Sequence, residues 1–171
     1  ALLSGPQIVR ALREEEATAI IGVPRLYRSL YAGIEGRIDG MGFAGRRLLR
    51  GLLRLSQFLR RRLGWRCGRQ LLRPLHRRFG PRLRVLASGG SALEPELAWH
   101  LEGLGWQVTA GYGLTETAPL LTLNVPGSGR LDSAGKAIEG VELRLAGNDS
   151  TDDGDADGEV LARGPNVFSG Y

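Results

Sequence analysis

Two short glycine-bearing segments carry residue types suited to nucleotide chemistry: Ser88-Gly89-Gly90-Ser91 and Gly111-Tyr112-Gly113-Leu114-Thr115-Glu116-Thr117. Glycine has no Cβ, so its backbone N–H and C=O groups can come close to a ligand. A tyrosine between two glycines offers a ring face on which a base can stack. Thr115 supplies a hydroxyl and Glu116 a hard oxygen ligand, the pair expected beside a phosphate and Mg2+. Either segment alone also reads as a plain tight connection. The combination is what points to a nucleotide.

The remaining motifs carry less. Asp153-Gly154-Asp155-Ala156-Asp157-Gly158 matches the opening of a calcium loop, but Gly164 stands where the bidentate Glu belongs. A solvated acidic turn is the better reading there. His76 and His100 fall on predicted helices without a partner nucleophile and read as packing residues. Cys67 sits among arginines, which lower a thiol pKa, yet no base accompanies it. Gly135-Lys136 is followed by Ala137 and lacks the preceding glycine of a phosphate loop.

The elements that would position these residues follow from periodicity. Ser4-Gly5-Pro6-Gln7 has the hydroxyl cap, early proline and Gln of a helix start, predicting a helix to about Glu16 that buries Ile8, Val9 and Leu12. Thr18–Val23 is a β-branched apolar run, predicted as a strand buried on both faces. Pro24 then opens a helix to about Ile34, with Leu26, Leu30 and Ile34 on one face. Five glycines between Gly33 and Gly45 predict a loop. From Arg46, Leu48, Leu52, Leu55, Leu59 and Leu63 recur at helical spacing as an apolar face, and Gly64 ends the helix. Cys67–Phe79 predicts a further helix interrupted by Pro74.

Leu83–Ser88 and Trp106–Ala110 read as strands, joined by a helix over Glu94–Leu104. Short strands follow at Leu120–Leu123, Val141–Leu145 and Glu159–Ala162, with Asn148–Gly158 as a surface turn. The fold class is α/β, a partial mixed and parallel sheet with flanking helices. The chain divides into helix-strand-helix (1–39), an Arg-rich helical insert (40–82) and the segment with the two glycine turns and a β-rich tail (83–171).

The chain has 171 residues, 42% hydrophobic, which suits one core rather than a disordered segment. Its longest uncharged runs stop at 13 residues, too short to span a bilayer as a helix. One cysteine excludes an internal disulfide, and the opening residues lack a signal-peptide pattern, so a cytoplasmic setting is expected. Fourteen arginines lie between Arg46 and Arg84, and no Asp or Glu occurs from Gly40 to Leu93. Such a segment suits first a solvated helix face whose leucines pack on other parts of a larger protein, and next contact with an anionic membrane, at the inner face if so. Its few aromatics and lack of a recognition motif argue against nucleic acid. A basic binding module with purely structural glycine turns is the alternative from a different class.

GYGLTET at Gly111–Thr117 resembles the signature of the adenylate-forming (AMP-binding) acyl-CoA synthetases. TAIIGVPRLYRSLY (Thr18–Tyr31), LRVLASGGSALEPELAWHLEGLGWQVTAGYGLTE (Leu83–Glu116), SAGKAIEGVELRL and GEVLARGPNVFSGY resemble further segments in the same order. The likeness runs from about Glu14 to the end, is weakest over Gly36–Arg82, and is most like bacterial long-chain fatty acid–CoA ligases. It implies an acid–thiol ligase that converts a fatty acid and ATP to acyl-adenylate and pyrophosphate, then passes the acyl group to CoA. An enzyme that loads a carrier protein, or activates a non-fatty acid, is the alternative within the superfamily.

By the same resemblance, adenine of ATP or AMP would lie between the Gly89-Gly90-Ser91 backbone and the Tyr112 ring. Thr115 would hold the α-phosphate and Glu116 would ligate Mg2+, the two taking the catalytic roles. Gly111 belongs to the same cradle, and Gly113 and Leu114 would border the acyl chain. Ala110 stands where many relatives carry a polar side chain, which leaves base recognition to backbone groups. The family's phosphate loop, ribose-binding aspartate and catalytic lysine have no counterpart here, and Lys136 is not that lysine. The expectation is an internal fragment of the large N-terminal domain, without turnover of its own.

Overall fold

A computed structural model of the chain describes residues 5–125, 130–146 and 158–171. Among the described residues the order begins α1 (Gly5–Glu14), β1 (Ala19–Gly22), then four successive helices α2 (Pro24–Asp39), α3 (Phe43–Leu63), α4 (Gly68–Leu71) and α5 (Arg73–Phe79), then β2 (Val85–Ser88), α6 (Pro95–Leu104) and β3 (Gln107–Tyr112). Then come β4 (Thr122–Leu123), β5 (Lys136–Ala137), β6 (Glu142–Ala146) and β7 (Glu159–Arg163). Strands β1 to β5 form one sheet in chain order, parallel from β1 to β3 and antiparallel from β3 to β5. β6 and β7 pair as a separate antiparallel hairpin. The α/β class and the mixed sheet with flanking helices are as the sequence implied.

Both parallel crossovers step the same way along the sheet, and their right-handedness sends the connecting helices to one face. Register places Ile20, Leu86 and Val108 side by side on that face. They join a core with Tyr27, Ile34, Leu97, Leu101 and Trp106. Tyr27 is fully buried and its hydroxyl donates to the Ala87 carbonyl at 2.6 Å, tying α2 to the end of β2. Burial of the phenol pushes its pKa up to about 12.

The opposite sheet face corrects one expectation. β1 is not buried on both faces: it forms the sheet edge, and Ile21 is 87% exposed. A second correction concerns Gly33–Gly45. α2 continues to Asp39 because Ile34 and Ile38, one turn apart, both enter the core, so the break shrinks to residues 40–42.

The rotation of α3 decides which part of its apolar face is covered. α3 buries Leu53, Ser56 and Arg60, with Leu49 and Leu52 partly covered, while Leu48, Leu55 and Leu63 face outward. Two polar contacts with α6 fix that rotation. Arg60 Nε donates to Glu102 at 2.6 Å in a pair almost wholly removed from water, and Ser56 Oγ donates to the Gly103 carbonyl at 2.7 Å. Glu102 also accepts from the Val108 amide at 2.9 Å, linking α3, α6 and β3. Gly103 permits the close approach, since a Cβ there would lie 2.2 Å from Gln57 Cγ.

Helix Cys67–Phe79 divides at Leu72 into α4 and α5, with Pro74 in the first turn of the second, where a missing N–H is harmless. His76 is a core residue, with Nε2 2.7 Å from the Leu104 carbonyl and its ring edge-on to Trp106. His100 stacks on Tyr31 at 5.0 Å. The Ser4 cap, the side chains of Ile8 and Val9, and almost all of the acidic turn with its calcium-loop resemblance lie outside the described residues. No helix among the described residues is long and apolar enough to cross a membrane.

Candidate functional site

Ser88, the last residue of β2, is the register partner of Ala110 in β3, so the two glycine segments begin side by side. In open α/β sheets this carboxyl edge is where ligands bind. A cleft of about 490 Å³ lies there. Its wall brings together Gly90, Ser91, Gly111, Tyr112, Gly113 and Leu114. The Tyr112 ring is 40% exposed.

Gly111 and Tyr112 are not turn residues, as their sequence suggested: they continue β3 and pair with Leu123 and Thr122 of β4. Gly89, Thr115 and Glu116 stand outside the cleft wall. A Cβ added at Gly89 would meet nothing within 4 Å, so its face is open. Gly90 supplies the left-handed backbone of the turn, with φ +78°.

Thr115–Thr117 form a single 3-10 turn directly after the cleft wall. Thr117 Oγ1 accepts from the Leu114 amide at 2.9 Å and donates to the Leu114 carbonyl at 2.9 Å, closing the turn on itself. Gly113 lets the chain fold back, because a Cβ there would sit 1.9 Å from the Pro119 carbonyl oxygen. Thr115 is exposed and Glu116 half-exposed, so both side chains are open to a ligand.

A second clamp comes from the tail after β7. Asn166 Nδ2 donates to the Thr117 and Leu120 carbonyls, both at 2.8 Å, and the Phe168 amide donates to the Glu116 carbonyl at 2.9 Å. The Tyr171 hydroxyl donates to Glu116 Oε1 at 2.6 Å, which holds that carboxyl below its usual range. The same bond raises the Tyr171 pKa. Glu116 is therefore a carboxylate at neutral pH.

Sequence reasoning missed the far wall of the cleft, Leu131 to Ala134. Asn124 builds it: the Asn124 amide donates to the Ala110 carbonyl at 2.8 Å, and Nδ2 donates to the Arg130 and Ser133 carbonyls. Thr109 Oγ1 donates to the Asn124 carbonyl, and Thr122 Oγ1 to that of Ala134 at 2.8 Å. Asp132 thereby reaches the cleft as an exposed carboxylate, its pKa lowered by Arg130. The Asp-Ser pair before Ala134-Gly135 was the available turn signal.

The donor set can be tested against a nucleotide and its metal. No group of three His, Cys, Asp or Glu side chains that could hold an ion exists among the described residues. Mg2+ does not need one: it rests on one or two carboxylates plus substrate phosphates. Half-exposed, ionised Glu116 beside Thr115, directly after the residues of the cleft wall, fits that arrangement.

Comparison with known proteins gives the class. Residues 1–171 match the AMP-binding enzyme family throughout, and the chain belongs to it. Peroxisomal long chain acyl-CoA synthetase 6 of Arabidopsis thaliana is 30% identical over 165 residues, covering 90% of this chain and 23% of the plant protein. Long-chain-fatty-acid–CoA ligase 2 of Schizosaccharomyces pombe is 31% identical over 169 residues, covering 94% of this chain and 24% of its own. The chain thus spans about a quarter of these curated relatives' length. The fold is shared with o-succinylbenzoate coenzyme A synthetase of Bacillus subtilis, solved in complex with ATP and magnesium ion: TM-score 0.62, 18% identity, 99% of this chain and 27% of that one.

Proposed function

We propose that this chain forms the adenylate-side wall of a long-chain fatty acid–CoA ligase. The observation that carries the reading is the cleft itself. Its lining includes both Gly90-Ser91 and Tyr112, at the carboxyl edge of a parallel sheet, and Thr115 and Glu116 follow directly in the chain. Adenine enters between backbone and ring, guided by main-chain groups because Ala110 has no polar side chain. Thr115 donates to the α-phosphate. Glu116 would hold Mg2+, which would supply positive charge to offset the charge developing on the phosphate. Gly113 and Leu114 border the acyl end.

The reaction then has two balanced steps. A fatty carboxylate oxygen attacks the α-phosphorus, the bond to the β-phosphate oxygen breaks, and pyrophosphate leaves. The CoA thiol, losing its proton, attacks the acyl carbon, and AMP leaves with the electrons of the broken C–O bond. Residues of this chain act on the first step by orienting the phosphate and stabilising its growing charge. Relatives at 30% and 31% identity that are long-chain acyl-CoA synthetases support the fatty acid and CoA as substrates. A reducing cytoplasm suits the single free Cys67.

The test is acid-dependent ATP–pyrophosphate exchange by a full-length protein carrying this segment, across short to long fatty acids. Exchange with long acids that disappears in Glu116→Ala is the expected outcome. Exchange that survives the substitution removes Glu116 from the chemistry, and exchange only with other acids removes the fatty-acid assignment. The 171-residue chain alone is expected to form no acyl-CoA, and turnover by it overturns that part.

A further inference from the structure

Sequence periodicity places the leucines of α3 on one apolar face, and the structure turns a large part of that stripe outward. Leu48 is 64% exposed, Leu55 48%, Phe58 58% and Phe43 70%, with Trp65 at 63% just past the helix end. These side chains do not face the cleft or the sheet. α3 packs on α6, α2 and α4 through Leu53, Ser56 and Arg60, so the stripe lies on the outer side of the helical layer. A shallow groove of about 520 Å³ runs along it, floored by Leu48, Leu52 and Leu55.

Charge accompanies the stripe. At 100° per residue, Arg47, Arg54 and Arg61 fall in one row along its edge, and Arg50 lies just beyond. Arg50 and Arg61 pair with Asp39 and Glu96. Arg47, Arg54 and Arg62 are exposed and make no ion pair among the described residues. Their own segment cannot neutralise them, since it has no Asp or Glu from Gly40 to Leu93.

We infer that the outer face of α3 docks on an anionic lipid surface, lying in the plane of the interface. A bilayer supplies together what this face lacks: an apolar phase for Phe43, Leu48, Leu55 and Phe58, and anionic headgroups for the unpaired arginines. The helix is about 32 Å long, enough to lie flat with its apolar side immersed. Nucleic acid would answer the arginines and leave the stripe in water. The inference does not rest on the adenylation reading, because it concerns lipid rather than nucleotide.

The experiment is co-sedimentation of the chain with vesicles of phosphatidylcholine alone and of phosphatidylcholine mixed with phosphatidylglycerol. It is repeated in moderate salt and with free inorganic phosphate as competitor. Binding to the mixed vesicles only, surviving moderate salt and free phosphate, is expected. Two variants divide the contributions: Leu48→Gln with Leu55→Gln and Phe58→Gln, and Arg47→Glu with Arg54→Glu. Each is expected to weaken partitioning about tenfold or more. All five side chains are exposed, so both variants keep the fold, and circular dichroism checks it. No binding to mixed vesicles overturns the proposal. So does binding that salt abolishes and the apolar variant leaves intact, which is the signature of a purely electrostatic surface. Concentration-dependent self-association without lipid binding, lost in the apolar variant, would assign the face to a second copy instead.

Discussion

The cleft and the α3–α6 seam lie in the same small fold but are held in opposite ways. Around the cleft, backbone carbonyls are gripped by neutral side chains: Asn124 on the Arg130–Ser133 turn, Asn166 and Thr117 on the signature turn. Its charged groups, Glu116 and Asp132, stay in water. At the seam the charged groups themselves are the fastening, with Arg60 and Glu102 both below a tenth exposed. A site must keep its carboxylates solvated and ready for a ligand, so its scaffold uses uncharged contacts. A seam with no ligand to serve can bury them.

The comparison is broken most decisively at the seam. Glu102→Leu leaves Arg60 buried without its carboxylate and the Val108 amide without its acceptor. A loss of about 3–5 kcal/mol is expected from removing one partner of a buried pair, measured by urea unfolding. Replacing Arg60 by Met in the same chain is expected to recover much of it, since two apolar residues can stand in for a buried pair. At the cleft, Glu116→Gln is expected to leave the unfolding midpoint within the range of ordinary surface changes. If the two carboxylates cost the same, the distinction between solvated site and buried fastening is wrong.

On the cleft side the largest effect belongs to Gly113→Ala. The added Cβ would meet the Pro119 carbonyl at 1.9 Å, with Leu120 Cα at 2.8 Å behind it, so backbone must move. A cost of about 1–3 kcal/mol follows from overpacking. Gly89→Ala meets open space and is expected to leave stability nearly unchanged while weakening any ligand that approaches that face. Differential scanning of both variants, with and without ATP, checks the pair. Asn166→Ala comes next: two carbonyls lose their donor, for about 1–2 kcal/mol, and proteolysis should reach the signature turn sooner.

How legible each region was from sequence follows the same division. The signature turn, the Gly89–Ser91 turn and the strands feeding them are local: glycine, proline and short apolar runs within a few residues specify them. The rotation of α3 was not legible, because it depends on Arg60 meeting Glu102 and Ser56 meeting Gly103 across more than forty residues. A leucine stripe with the right period looked like the buried face, and the true one contained a serine and an arginine. The far cleft wall was hidden for a similar reason, since Asn124 gives no sign in sequence that it reaches forward to residues 130 and 133. The clamp on the signature turn by Asn166, through the Thr117 and Leu120 carbonyls, and by Tyr171, through Glu116, joins residues about fifty apart.

His76 of α5 adds a pH arm to the packing at the end of α6. Burial is the first cause of its lowered pKa, so the fold disfavours its charged form, with Nε2 against the Leu104 carbonyl. In the unfolded chain it takes up a proton near the ordinary histidine pKa of about 6.5. As pH falls below that value, protons bind the unfolded state first and stability declines, at no more than about 1.4 kcal/mol per pH unit for one group. Glu116 and Asp132, whose pKa values are lowered from the carboxylate range, shift stability only at more acid pH. Urea midpoints between pH 7 and 5 should slope downward in the parent chain and flatten in His76→Gln. A slope unchanged in His76→Gln would mean that another group carries the titration.

The smallest expected effect tests whether charge pairs on α3 matter only when buried. Arg50 and Asp39 meet at 2.5 Å, closer than Arg60 and Glu102, yet both side chains are about half exposed. Distance alone would rank this pair first. Solvent screening and the entropy of fixing two long side chains reverse the order, so Asp39→Asn is expected to cost less than about 1 kcal/mol. Added salt should shrink that cost further while leaving the Glu102→Leu cost largely intact, because the Debye length falls to about 3 Å at 1 M and acts only where ions can reach. Equal salt sensitivity in the two variants would mean that water reaches Arg60, and that the outward turn of the α3 leucines needs another cause. A salt-insensitive Glu102→Leu cost beside a vanishing Asp39→Asn one would fix burial, rather than proximity, as what holds α3 in its rotation and keeps its apolar stripe facing out.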